Sequence, residues 1–235
     1  MKKSHVMSRT TASLFVLVTL LLASCKKDND TAATVTEADA ADVVTQAVVA
    51  SSGGITVQTA DVARISNIYV NACGASKDSS IAYVSAPNAA ITYSFTASWH
   101  WAVTCGATPH LDFTYNGNTV YDAPRMSSND HLAVTAAVTG LASTAYVLNM
   151  QVTRNGTQVS KIRNKNSFTS LLTLTGTNVA VNKQTQLVES GTLAVTLTGS
   201  GSGGRSFSYA GTLVFNGNKK GTLTLNSGAT YAIEW

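Results

Sequence analysis

Residues 91–105 alternate between apolar and polar side chains almost without a break. Ile91, Tyr93, Phe95, Ala97, Trp99, Trp101, Val103 and Cys105 share one parity, and Thr92, Ser94, Thr96, Ser98, His100 and Thr104 take the other. A repeat of two places side chains on opposite faces of a strand, whereas a helix would repeat every 3.6 residues. Fifteen such residues extend roughly 50 Å, which is long for a flat strand, so a bend or bulge is predicted near Ala97–Ser98. The same period returns at Tyr146, Leu148, Met150 and Val152, and at Leu193, Val195 and Leu197. It continues through Phe207, Tyr209, Leu213 and Phe215, then Leu223 and Leu225, and closes on Tyr231, Ile233 and Trp235. Only 12% of residues are charged and 44% are hydrophobic, which suits many strands with polar, uncharged outer faces. The expected fold is all-β: an antiparallel meander forming a β-sandwich or a partly open barrel, with one short N-terminal helix and an integral last strand.

That helix is read from Thr36, which caps it with Asp39 three positions on, and from the stripe Ala40, Val43, Val44, Ala47 and Val48. Ser51-Ser52-Gly53-Gly54 ends it, and strands are expected from Ile55 onward. Turns follow from keeping apolar faces together. A three-residue loop Arg154-Asn155-Gly156 would set Leu148 opposite Ile162 and turn Lys161, Arg163 and Lys165 outward as a basic stripe. Asn226-Ser227-Gly228 is predicted to be a three-residue loop aligning Leu223 with Tyr231. Asn116-Gly117 is predicted to be a two-residue turn pairing Phe113 with Val120.

The N-terminus carries the address. Lys2, Lys3 and Arg9 precede an apolar run over residues 12–23, about twelve residues long and short of the roughly 20 that cross a membrane. Leu22-Ala23-Ser24-Cys25 follows, then Lys26-Lys27-Asp28-Asn29-Asp30. This stretch resembles the lipobox of bacterial lipoproteins, and the charged run after it resembles the export tag of Bacteroidota-type surface lipoproteins. The resemblance implies lipidation of Cys25, cleavage before it, and an outer-membrane anchor facing outward, with the periplasmic face as the alternative. Several acyl chains on one residue exceed what stable anchoring needs. The expected organisation is a signal peptide over 1–24, a polar tether over 25–34 and a single all-β domain over 35–235.

Lys2, Lys3 and Arg9 leave with the signal, so of 16 Lys and Arg 13 remain against 12 acids, and the net charge falls from +4 to +1. Nothing electrostatic favours nucleic acid. Cys73 and Cys105 remain as a pair in an oxidising compartment, which predicts a disulfide, with Cys105 pointing inward from its apolar parity.

No cofactor or metal is expected. Gly199-Ser200-Gly201-Ser202-Gly203-Gly204 matches a dinucleotide loop in letters, but strand period follows it where a phosphate-binding helix is needed. His110 and Asp112 share a polar strand face, with Asp130-His131 and His100 elsewhere, and no spacing compels them to converge on a metal. No Gly-x-Ser-x-Gly elbow occurs. Trp99, Trp101 and Trp235 share the core parity, which leaves Tyr121, opposite in parity to Val120, as the exposed aromatic. Tyr121, Lys161, Arg163 and Lys165 are therefore the candidate ligand contacts. The expected function is a non-enzymatic interaction or structural module held at the membrane, with a surface glycan or protein as partner. The alternative is a lipid or glycan carrier with a pocket lined by Trp99, Trp101, Tyr209 and Phe215. A hydrolase would need His100, His110 or His131 beside a carboxylate or serine in a cleft.

Overall fold

The computed structural model describes residues 34–163 and 165–235. The signal peptide, Cys25 and all of the tether but Thr34 lie outside the described residues. Those described belong to one compact unit. Helices α1 (Glu37–Val48) and α2 (Ile55–Tyr69), joined by a single tight turn (Ala50–Ser52), precede every strand. The strands are β1 (Ser76–Val84), β2 (Thr92–Thr104), β3 (His110–Asp122), β4 (Met126–Thr139) and β5 (Ala145–Ser160). They continue as β6 (Ser167–Asn182), β7 (Val188–Gly201), β8 (Ser206–Gly217), β9 (Lys220–Leu225) and β10 (Thr230–Glu234).

All ten form one antiparallel sheet in chain order, each strand paired only with its neighbours in sequence, and β1 and β10 are its unpaired edges. It is an open meander rather than a sandwich of two sheets. Its inner face carries Phe113, Leu132, Val152, Leu174, Val195 and Leu213, all buried, and both helices pack against that face. Its outer face is mostly Thr, Ser and Asn. One row across it runs His100, Thr114, Thr135, Gln151, Thr175, Ala194, Thr212 and Thr224.

Helix α1 begins as its sequence requires. The Thr36 hydroxyl accepts the Asp39 backbone N–H at 3.2 Å, and the Asp39 carboxylate accepts the Thr36 N–H at 3.0 Å. This reciprocal cap satisfies two backbone donors that a helix start leaves free. Its apolar stripe, Ala40, Val44, Ala47 and Val48, is almost fully buried. Asp39 and Asp42, one turn apart, hold the helix to the sheet through Arg163, and Asp42 also pairs with Arg125 at 2.9 Å.

The stretch from Ile55, expected to be strand, is helix α2. Ile55, Thr59, Val62 and Ser66 recur at helical spacing and are buried, but half of that stripe is hydroxylated. The apolar signal is thereby diluted below what periodicity alone reveals.

Two of the three turn expectations are overturned. Asn116-Gly117 lies in the middle of β3 and Asn155-Gly156 in the middle of β5. Both glycines face inward, and neither needs a left-handed backbone. What they lack is room. A Cβ on Gly117 would sit 2.0 Å from the Thr96 oxygen and 2.5 Å from the Ala97 Cα, and one on Gly156 would sit 2.1 Å from the Asn129 oxygen. The neighbouring strand folds over each glycine, so these are creases where the sheet turns toward the helices. Inward Gly199 and Gly211 are crowded by β6 and β9 in the same way. β2 therefore runs in unbroken register with β1 and β3: of the bend or bulge expected near Ala97–Ser98 there is no bulge, and the crease at Gly117 lies directly opposite Ala97. The third turn is as expected: Leu223 faces Tyr231, Leu225 accepts no extra residue before pairing with Ala229, and Gly228 is left-handed at φ +92°.

Because β5 runs through to Ser160, Lys161, Arg163 and Lys165 fall in the β5–β6 connection and form no strand stripe. Lys161 pairs with Asp122 and Arg163 turns back to Asp39 and Asp42. The Cys73–Cys105 disulfide is present and joins the exit of α2 to the β2–β3 connection. Both cysteines are exposed, so Cys105 points outward, contrary to its parity, because β2 ends one residue before it.

Candidate functional site

The inner face holds a buried polar cluster under α1. Arg154 and Asp130, 5% and 4% exposed, approach at 3.0 Å, and the Arg154 guanidinium lies 5.6 Å over the Tyr121 ring. Gln158 donates to Asp130 at 2.7 Å and to the Ser128 hydroxyl at 3.1 Å, and the Ser170 hydroxyl donates to Gln158 at 2.7 Å. Gly156 leaves the gap in which the Asp130 carboxylate lies, 2.5 Å from where a Cβ would be. Helix α1 covers the cluster, with the Gln46 carbonyl 3.5 Å from Arg154. A buried pair enclosed on every side fixes which strands face which; it offers no surface to a ligand.

The candidate ligand contacts do not converge. Tyr121 is inside at 2% exposure while Val120 is 44% exposed, the reverse of expectation, since a continuous β3 keeps Phe113, Tyr115 and Tyr121 on one face. Burial pushes the Tyr121 hydroxyl well above the usual tyrosine range. Lys161 and Arg163 are engaged as described, and Lys165 is exposed in the β5–β6 connection. His100, His110 and His131 are spread over the outer face. His100 meets Asp78 at 2.9 Å and His110 meets Asp112 at 3.3 Å, both among solvent-exposed side chains. His131 and Asp130, adjacent in sequence, point to opposite faces. Among the described residues no three His, Cys, Asp or Glu side chains gather as metal ligands. Of the residues expected to line a carrier pocket, Trp101 and Phe215 are buried in the core, where Tyr69 packs 4.3 Å from Trp101 and Trp235 lies edge-on to Phe215.

A depression of about 330 Å³ lies beside Val84, Pro87, Val120 and Tyr121, and a further space opens at the seam between the unpaired edges. Helix α2 lies across it, and a cleft of about 320 Å³ opens between Thr56, Val57, Ala60 and Asp61 of the helix and Tyr83, Tyr93, Leu187, Val188, Lys219 and Trp235 around it. Its walls are mainly apolar. Larger depressions of about 480 and 620 Å³ on the outer face are shallower; the first mixes four threonines with Phe113, Ala136 and Met150, and the second sets Ser, Thr and Asn beside Ile81, Ala82 and Ala97. A concave apolar cleft with a few placed polar groups is the more selective arrangement.

The polar groups of the cleft are ordered. The Tyr83 hydroxyl donates to Asp61 at 2.7 Å, and Arg64, one turn further along α2, reaches the other carboxylate oxygen at 3.2 Å. Burial, then the hydrogen bond to Asp61, holds the Tyr83 hydroxyl far above its ordinary pKa, so it stays a donor. Lys219 stands in the β8–β9 turn beside Trp235, whose backbone N–H donates to the Lys219 carbonyl at 3.0 Å. Sequence reasoning missed this site because α2 was read as strand; the Asp61–Arg64 spacing within a stripe Ile55, Thr59, Val62, Ser66 was the available signal. No family model, curated protein or solved structure matches the chain, and the reading of the cleft rests on its own geometry.

Proposed function

We propose that this chain is a lipoprotein moored to the outer membrane through lipid on Cys25 and exposed at the cell surface, and that its β domain is a non-enzymatic binding module whose ligand site is the seam cleft. Support for the anchor is the sequence Leu22-Ala23-Ser24-Cys25 followed by a short charged run. The observation that carries the binding reading is the cleft itself, about 320 Å³ and mainly apolar, where the unpaired sheet edges leave α2 open to solvent. The interior is taken up by α1 and α2, which favours a site at the seam over a carrier cavity within the sheet. Asp61 already accepts from Tyr83 and Arg64, and His100, His110 and His131 stand apart on the outer face, an arrangement suited to holding a ligand rather than to acid–base chemistry.

Metabolic labelling with a palmitate analogue tests the anchor. The parent chain takes up label and Cys25→Ala does not; equal labelling removes the anchor from the reading. Protease shaving of intact cells tests the leaflet, since a surface domain is digested and a periplasmic one is protected.

A further inference from the structure

We propose that the seam cleft takes a small amphipathic monoanion: an aryl or short acyl body against Tyr83, Tyr93, Leu187 and Trp235, with one carboxylate or sulfonate at Lys219. This rests on the cleft being a binding site and adds the class of its ligand.

The argument is a census of donors and acceptors. Asp61, the acidic acceptor in the lining, already receives the Tyr83 hydroxyl and Arg64, and the Thr56 hydroxyl donates to the Val48 carbonyl at 2.8 Å. One cationic donor is left over. Lys219 makes no ion pair among the described residues, although its neighbour Lys220 pairs with Glu234 at 3.4 Å. A cleft with an unpaired ammonium at its rim and a satisfied carboxylate is matched by a ligand that brings a negatively charged acceptor.

The turn that carries Lys219 fixes where this cation stands. The β8–β9 hairpin turns on Asn218 and Lys219, both left-handed at φ +50° and +59°. Such a turn favours Asn followed by Gly, and a lysine in the glycine seat carries a steric cost. Lys219 shares this conformation with Arg163, Lys165, Asn178, Gln186 and Asn218, and from its turn it provides a cation at the rim of the cleft.

Two fluorescent probes with one body test this: anilinonaphthalene sulfonate and its neutral parent, phenylnaphthylamine. They are titrated into the chain from residue 26 onward, which contains the whole compact unit. Both are expected to saturate one site on the parent, the anion about fivefold tighter, the worth of one exposed ion pair. Lys219→Gly is expected to equalise the two while melting no lower than the parent, because glycine suits the turn. Ala60→Phe, which fills the cleft from α2, is expected to remove both. If the neutral probe binds the parent as tightly as the anion, or Lys219→Gly keeps the preference, the monoanion assignment is overturned. If neither probe saturates, or Ala60→Phe changes nothing, the cleft is no binding site and both readings fall.

Discussion

Gly117 offers the sharpest test of how this sheet is built. In a hairpin turn a glycine matters for its backbone freedom; in a crease it matters for the missing Cβ. Adding a Cβ at Gly117 brings it to 2.0 Å from the Thr96 oxygen, 2.5 Å from the Ala97 Cα and 2.6 Å from the Ala97 Cβ. The two nearest atoms are backbone of the adjoining strand, which cannot rotate away. Overpacking a core costs about 1–3 kcal/mol, and contacts this immobile put Gly117→Ala near the upper end. For a domain of this size that is a fall in Tm of roughly 6–12 °C. Gly228 is the control. It is left-handed at φ +92° with nothing within 4 Å of its added Cβ, so Gly228→Ala pays a conformational cost alone, about 1–2 kcal/mol. Asparagine separates the two cases. It tolerates a left-handed backbone, so Gly228→Asn should recover part of the loss, whereas Gly117→Asn should be at least as damaging as Gly117→Ala. Thermal and urea unfolding of the four variants provide the comparison. If Gly117→Asn is milder than Gly117→Ala, the crease is wrong and residues 116–117 are a turn after all.

Two further outcomes follow from the buried groups. Removing either member of the Arg154–Asp130 pair alone, as Arg154→Met or Asp130→Asn, should cost about 3–5 kcal/mol by stranding its partner, and the double variant should cost clearly less than the sum. Additivity within about 0.5 kcal/mol in urea melts would mean that the two side chains do not interact. Burial raises the hydroxyl pKa of Tyr83, Tyr115, Tyr121, Tyr146 and Tyr209. Their folded-state values lie above the unfolded value near 10, so their contribution is complete below about pH 10 and is lost as pH rises beyond it. Tyrosinate absorbance should therefore stay low for these residues until a cooperative alkaline transition that coincides with loss of circular dichroism; gradual, independent ionisation would contradict the burial.

Strand period made the class of this fold legible, and the apolar stripe with Thr36 and Asp39 located α1. Asn-Gly was where local reading failed. The pair at 116–117 and the pair at 155–156 carry the same letters as a hairpin turn, and what distinguishes them is a neighbouring strand, or the Asp130 carboxylate, brought over the glycine by the tertiary fold. Placing a turn at 116–117 flipped the parity beyond it, which is why Tyr121 was expected outside. Placing one at 154–156 followed from assuming that no charge faces the core, yet Arg154 does so because Asp130 on the adjacent strand receives it. The cleft was invisible for a different reason: its lining is drawn from α2, the first two strands and the last turns of the chain, which no local window joins.

The helices that fill the sheet precede it in the chain. Each strand pairs with the next through a short connection, so the loops closed in assembling the sheet are small. Seating α1 is another matter, because Gln46 meets Arg154 across 108 residues and Val35 meets Tyr209 across 174. Loop-closure entropy grows with length, and contacts of such separation slow folding. The helices that precede the sheet thus have their place defined last, once a wall built from residues far downstream exists to receive them.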